Sequence, residues 1–141
     1  AGFRGKAGEY AGFARPHTER TEEFDRIIRD RRIVPEAAPR GDDRVVANGE
    51  ALHRLLRRRG VLFLFYMGFA ANMCVPFRDY GMRAMKDRGY EVVLLEDCTT
   101  AIEVEDTADD LLLSQACKID AALTIGYTLQ SADLLTACSE V

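Results

Sequence analysis

Apolar residues along this chain fall into two kinds of block. Val61 to Met67 is a continuous apolar run, and Glu91 to Leu95 is a second run with one charged residue at its start. Runs without alternation fit strands buried on both faces of a parallel sheet. Elsewhere apolar residues recur at helical spacing. Leu52, Leu55 and Leu56 form one such face; Phe77, Tyr80, Ala84 and Met85 form another; Leu112, Ala116, Ile119 and Leu123 form a third. Caps and stops bracket these stretches. Asn48 is a good N-cap, and Gly60 follows an Arg57–Arg59 turn that complements a helix dipole. Gly89 closes a helix predicted over Pro76 to Arg88, and Thr107 with Asp110 resembles a capping box for a helix that Gly126 ends. Tyr127 to Leu129 is a short strand, and Ser131 caps a last helix through Leu134 and Leu135. With Arg44 to Ala47 as a further short strand and Asp97 to Thr100 as a polar loop, strands and helices alternate from Arg44 onward. That alternation predicts an α/β fold, a three-layer sandwich around a parallel sheet with right-handed crossovers.

The first 43 residues differ. Ala1 to Arg15 holds four glycines without a clear period and reads as loop. Thr21 is placed to cap one short helix, with Glu22 and Glu23 in its first turn, Arg29, Arg31 and Arg32 near its end, and Phe24, Ile27 and Ile28 on one face. Pro35 and Pro39 then break the chain. The predicted organisation is a loop-rich segment over 1–43 and an α/β part over 44–141.

A length of 141 residues suits one domain and a real core. With 48% apolar and 30% charged residues the chain is ordinary globular material, which argues against disorder. A net charge of -4 disfavours a nucleic-acid partner. The longest apolar run, Val61 to Ala71, is too short to span a bilayer, and no signal peptide opens the chain. Four cysteines (Cys74, Cys98, Cys117, Cys138) form no C-x-x-C pair, and only His17 and His53 could join them, so neither a zinc site nor a disulfide framework is expected. This is the profile of a reduced, cytoplasmic protein in which three of the four cysteines are small buried hydrophobes.

One cysteine stands apart. Gly68 to Met73 is a small-residue turn at the carboxyl end of a predicted strand, and it delivers Cys74 to a helix start. Sites in open α/β sheets form at such ends. A helix N-terminus favours a thiolate, its free amides face whatever the sulfur attacks, and small residues allow close backbone approach. A nucleophile beside oxyanion donors is the core of acyl transfer. A phosphatase loop would need arginine where Tyr80 stands, and neither Gly-x-Ser-x-Gly nor a nucleotide-binding glycine motif occurs.

Gly68-Phe69-Ala70-Ala71-Asn72-Met73-Cys74-Val75 resembles the active-site segment of the isochorismatase-like cysteine hydrolases. The similarity continues through Arg78, Gly81, Met82 and Met85, through Gly89 to Val93, and through Asp97 to Ala101, covering roughly residues 44 to 138. The resemblance implies a Rossmann-like three-layer fold and hydrolysis of small amide or ureido C–N bonds, or of a vinyl ether, without a cofactor. It implies Cys74 as nucleophile, the backbone N–H groups of Ala70 and Cys74 as oxyanion hole, and a cis Phe69–Ala70 peptide. Gly68, Asn72 and Asp97 would line the site, with no metal. Relatives often associate, so a homo-oligomer is implied as well as a small-molecule substrate.

The family's other catalytic residues have no counterpart here. Its aspartate ends a first strand with an Asp-x-Gln-like pattern, and its lysine precedes the helix leading to the cysteine strand, where this chain has Val45-Val46-Ala47-Asn48-Gly49-Glu50. Of Lys6, Lys86 and Lys118 none fits that place. A chain truncated at its N-terminus and a divergent branch both account for this, and truncation would leave the Val61 to Met67 strand as a hydrophobic sheet edge. Asp97 reads either as an orienter for Cys74 or as a loop cap near Thr99. Arg78 and Asp79 are expected in helix-surface or subunit contacts, and His53 on a helix surface. Two further readings compete with the hydrolase: a degenerate family member serving as a binding or oligomerisation module, and a thiol redox sensor.

Overall fold

A computed structural model describes residues 2–13 and 22–140. The chain divides into two compact units, Ala1–Asp43 and Arg44–Val141. The first holds α1 (Gly2–Gly5), a 3-10 segment over Gly8–Phe13, α2 (Glu22–Asp30) and a 3-10 turn at Pro35–Ala37. The stretch expected as loop before Arg15 therefore carries helical turns. Single turns close through local bonds such as Tyr10 N–H to the Ala7 carbonyl (3.3 Å) and need no apolar period to announce them. α2 has Glu22, Glu23 and Asp25 in its first turn and Arg29 in its last, the order that suits its dipole. The expected Thr21 cap and the Phe24 side chain lie outside the described residues.

The second unit is built on a three-stranded parallel sheet in the order β1-β2-β3, with β1 (Phe63–Phe69), β2 (Glu91–Thr100) and β3 (Tyr127–Leu129). Arg44–Ala47 is not a strand; it runs irregularly into α3 (Gly49–Arg58). Four residues with two β-branched side chains satisfy strand propensity, but no neighbouring strand pairs with them. Asn48 caps α3, its side chain accepting from the Ala51 amide at 2.9 Å. Leu52 and Leu56 pack against the core, and half-buried His53 is tied to Tyr90, its Nδ1 lying 2.9 Å from the phenol oxygen.

That core lies on one face of the sheet. Val92 and Leu94 of β2 meet Val75, Met82, Met85, Tyr90, Ala121 and Ile125, with Leu64 and Tyr66 of β1 at the margin. Val93 and Leu95, which strand alternation turns to the opposite face, are buried as well, and α7 (Ser131–Ser139) lies against β2. Helix, sheet and helix thus form three layers. β1 departs from the expected two-sided burial. It is an edge of the sheet, and Phe63, Phe65, Met67 and Phe69 are all exposed.

Two expected helices are also corrected. The Pro76 to Arg88 helix is broken into α4 (Cys74–Phe77) and α5 (Met82–Asp87) by extended backbone at Arg78 and Gly81. Met82 and Met85 are buried while Phe77 is exposed. A Cβ on Gly81 would stand 2.7 Å from the Val75 carbonyl oxygen, so only glycine lets the two short helices fold against each other. α6 (Leu112–Asp120) continues into a π turn over Ala121–Ile125 that ends at Gly126. Its expected apolar face, with Leu112, Ile119 and Leu123, is exposed, and Ser114, Ala121 and Ile125 face inward instead. Apolar residues surround this helix, so spacing alone cannot choose the buried side.

A polar cluster joins α6 to the end of β2. Glu103 accepts from the Leu113 amide (3.1 Å), the Ser114 amide and hydroxyl (both 2.7 Å) and the Thr107 hydroxyl (2.8 Å). The buried Ser114 oxygen accepts in turn from the Ala101 amide at 2.8 Å. Glu103 and not a Thr107–Asp110 box therefore caps this helix. Burial pushes the Glu103 carboxyl up, but the hydrogen bonds from Ser114, Thr107 and Leu113 outweigh it and hold the pKa down at about 2, from an ordinary 4.5.

Replacing Gly81 by alanine should lower unfolding stability by about 1–3 kcal/mol, measured by urea denaturation, because backbone atoms must move to admit the methyl group. The Glu103 pKa is lower folded than unfolded, so its stabilisation is complete above the unfolded value and lost as pH falls through about 2. The stability gap between the wild type and Glu103→Gln should therefore be widest near neutral pH and close between about pH 4.5 and 2. A gap that stays constant over this window would remove Glu103 as the ionised cap.

Candidate active site

β1 and β2 keep a simple register from Phe63↔Glu91 to Tyr66↔Leu94, then resume at Gly68↔Thr99. Leu95, Glu96, Asp97 and Cys98 thus stand opposite Met67 alone. Asp97 to Thr100, expected as a loop, belongs to β2, and the irregularity is closed by the buried Thr99 hydroxyl donating to the Leu95 carbonyl at 2.8 Å. This sets where β1 can end. Gly68 has φ +116°, a conformation open to glycine. Beyond it the Phe69–Ala70 peptide bond is cis.

The chain then turns from Ala70 to Met73 into α4. Ala70 and Ala71 are 2% and 6% exposed, which explains their small side chains. The Ala71 amide donates to the Thr100 carbonyl at 2.9 Å, and the Ala70 carbonyl accepts from the amides of Met73 and Val75, both at 3.1 Å. Asn72 brackets the next stretch of chain: its Nδ2 donates to the Ile102 carbonyl and its Oδ1 accepts the Ile102 amide, both at 3.0 Å. The amides of Ala70 and Cys74 take no part in these bonds of the turn.

Cys74, half-buried at the first position of α4, borders two clefts. One, of ≈ 430 Å³, is lined by Asn72, Met73, Cys74, Phe77 and Arg78. The other, of ≈ 220 Å³, is lined by Tyr66, Met67, Phe69, Val75, Tyr80 and Gly81 with Cys74. Tyr66 is anchored there by its hydroxyl donating to the Tyr80 carbonyl at 2.9 Å, and burial pushes its pKa up to about 12. α4 is a single turn, so the dipole expected from a long helix is mostly absent. Arg78 lines the larger cleft together with Cys74. The Cys74 side chain, as hydrogen-bond and charge partner, pushes the Arg78 pKa up.

Arg78 was expected only as a surface or subunit contact. The signal for its role is its position four residues after Cys74, one helical turn further on. Asp79 instead accepts the Gly49 amide at 2.8 Å and so anchors the start of α3. Asp97 neither lines a cleft beside Cys74 nor caps a loop at Thr99. Its carboxylate accepts both the hydroxyl and the amide of Ser131, interactions that lower its pKa, and it fixes the start of α7. Ser131 is accordingly the first residue of that helix and not its cap. Among the described residues, those lining the two clefts include no Asp, Glu, Lys or His.

The other cysteines are not the buried hydrophobes expected. Cys98 and Cys138 are exposed, and Cys117 is half-buried, with its pKa raised by burial and by Asp120 and Glu103. Among the described residues no group of three or more His, Cys, Asp or Glu side chains could hold a metal ion, and no helix is long and apolar enough to cross a membrane.

A crystal structure of a cysteine hydrolase from Pseudomonas syringae pv. phaseolicola 1448A shares this fold, with a TM-score of 0.64 at 19% identity. The match covers 87% of this chain and 65% of that one, so the chain spans less than two thirds of its neighbour's length. A search of curated proteins finds no match. The profile of the isochorismatase domain matches residues 11–117, beginning well before Arg44, where the similarity was expected to start. On a match of that extent, the chain belongs to the isochorismatase domain family.

Proposed function

We propose that this chain is a hydrolase that cleaves a small amide or ureido C–N bond through a covalent intermediate on Cys74. The observation that carries this reading is a half-buried cysteine at the carboxyl end of a parallel strand, bordering two clefts, with Arg78 in the lining of the larger one. The thiolate attacks the carbonyl carbon, forming a C–S bond and moving an electron pair onto the oxygen. The amides of Ala70 and Cys74, uncommitted within the turn, are the groups in place to hold that oxyanion. Collapse breaks the C–N bond, and the amine leaves with a proton drawn from water. Water then hydrolyses the thioester, releasing the acid and restoring the thiol.

One observation favours a second reading. Among the described residues no carboxylate, lysine or histidine lines either cleft to serve as general acid or base, a role typically worth ~100- to 10,000-fold in rate. A family member so equipped would bind a ligand or a partner without turning it over.

Alkylation separates ionisation from access, because Cys98 and Cys138 are more exposed than Cys74. Near neutral pH, iodoacetamide should modify Cys74 ahead of both, with Cys117 slower still. Uniform labelling of all four would end the nucleophile reading. Ammonia release from a panel of primary amides and ureides should be detectable and should fall to the uncatalysed rate in Cys74→Ser. Fast labelling without any release would favour a thiol redox sensor or a truncated enzyme.

A further inference from the structure

We propose that Arg78 makes the larger cleft beside Cys74 selective for substrates bearing a carboxylate, which pairs with the guanidinium while the scissile carbonyl faces the sulfur. This rests on Cys74 being the nucleophile and adds the class of molecule it attacks. Of the five residues lining that cleft, Arg78 alone carries a full charge. Asn72, the other strongly polar side chain, spends both ends of its amide on the Ile102 backbone, so it has little left for a ligand. Met73 and Phe77, both more than half exposed, give the cleft apolar surface beside the guanidinium.

Arg78 also has capacity to spare. It forms no ion pair among the described residues. Its neighbour Asp79, the obvious competitor, has one carboxylate oxygen committed to the Gly49 amide. A guanidinium carries five N–H donors in a planar fork, and one sulfur cannot occupy them all. The remaining edge matches the two oxygens of a carboxylate. The Arg78 backbone is held relative to Cys74, its amide donating to the Cys74 carbonyl (3.3 Å) and its own carbonyl accepting from Gly81 (2.8 Å). The smaller cleft, lined by Tyr66, Met67, Phe69, Tyr80 and their neighbours, has no charged side chain and suits the uncharged remainder of the substrate.

Two alkylating reagents of similar size test this without requiring turnover. Iodoacetate is anionic and iodoacetamide neutral, and both report the same thiolate, so their rate ratio at Cys74 cancels any effect of Arg78 on ionisation. Rates are read on the full chain by peptide mass spectrometry, with Cys98 and Cys138 as internal references and circular dichroism to confirm folding. In Arg78→Gln the iodoacetate-to-iodoacetamide ratio at Cys74 should fall about tenfold, as expected for loss of a charge-assisted pair. Arg78→Lys should retain part of it, and the ratio at the reference cysteines should not change. If both rates fall together and the ratio holds, Arg78 only ionises the sulfur and the carboxylate subsite is overturned. Absence of amide turnover with the ratio shift intact would defeat the hydrolase reading and leave the anion subsite standing. A Cys74 that reacts with neither reagent overturns both.

Discussion

Everything near the candidate nucleophile depends on how the end of β1 is fastened to the end of β2. Met67 faces four residues of β2, and pairing then resumes at Gly68 and Thr99. That offset lets the Ala71 amide reach the Thr100 carbonyl and lets Asn72 grip the Ile102 backbone from both sides. Three backbone-directed bonds thus fix a turn of small buried residues, and the turn sets where Cys74 emerges. A buried turn can exist only if its polar groups find partners, and here β2 and the segment after it supply most of them.

The break between α4 and α5 changes the electrostatics of the sulfur. A helix running unbroken through residue 88 would have offered a sizeable dipole, and its side chain at 78 would have stayed on the helix flank. With one turn only, the charged group beside Cys74 is Arg78, placed at the point where the helix opens out. Gly81 makes that arrangement sterically allowed by letting the chain fold back against Val75.

Several carboxylates that a reader of the sequence would consider for catalysis are structural ties instead. Asp79 holds the start of α3, Asp97 holds the start of α7, and Glu103 holds the start of α6. Each accepts amides or hydroxyls that the helix starts would otherwise leave unpaired, which is a stabilising use of negative charge at that end of a helix. Their commitment explains why the lining of the Cys74 clefts is aromatic, apolar and cationic rather than acidic.

The residues themselves determined the parallel α/β character, the buried β2 run, the Asn48 cap, the β3 strand and the place of Cys74 after a small-residue turn. These are local properties: an apolar run, a capping side chain and a motif are complete within a few neighbouring positions. Only the tertiary structure decided which face of α6 is buried, that Arg44 to Ala47 stays unpaired, that residues 76 to 88 break in two, and that Arg78 rather than Asp97 lines a cleft beside Cys74. Each of those depends on a partner distant in sequence or on a steric contact across a bend. A helix with apolar residues on more than one side, or a charged residue with several neighbours in reach, has its role chosen by whichever surface packs against it.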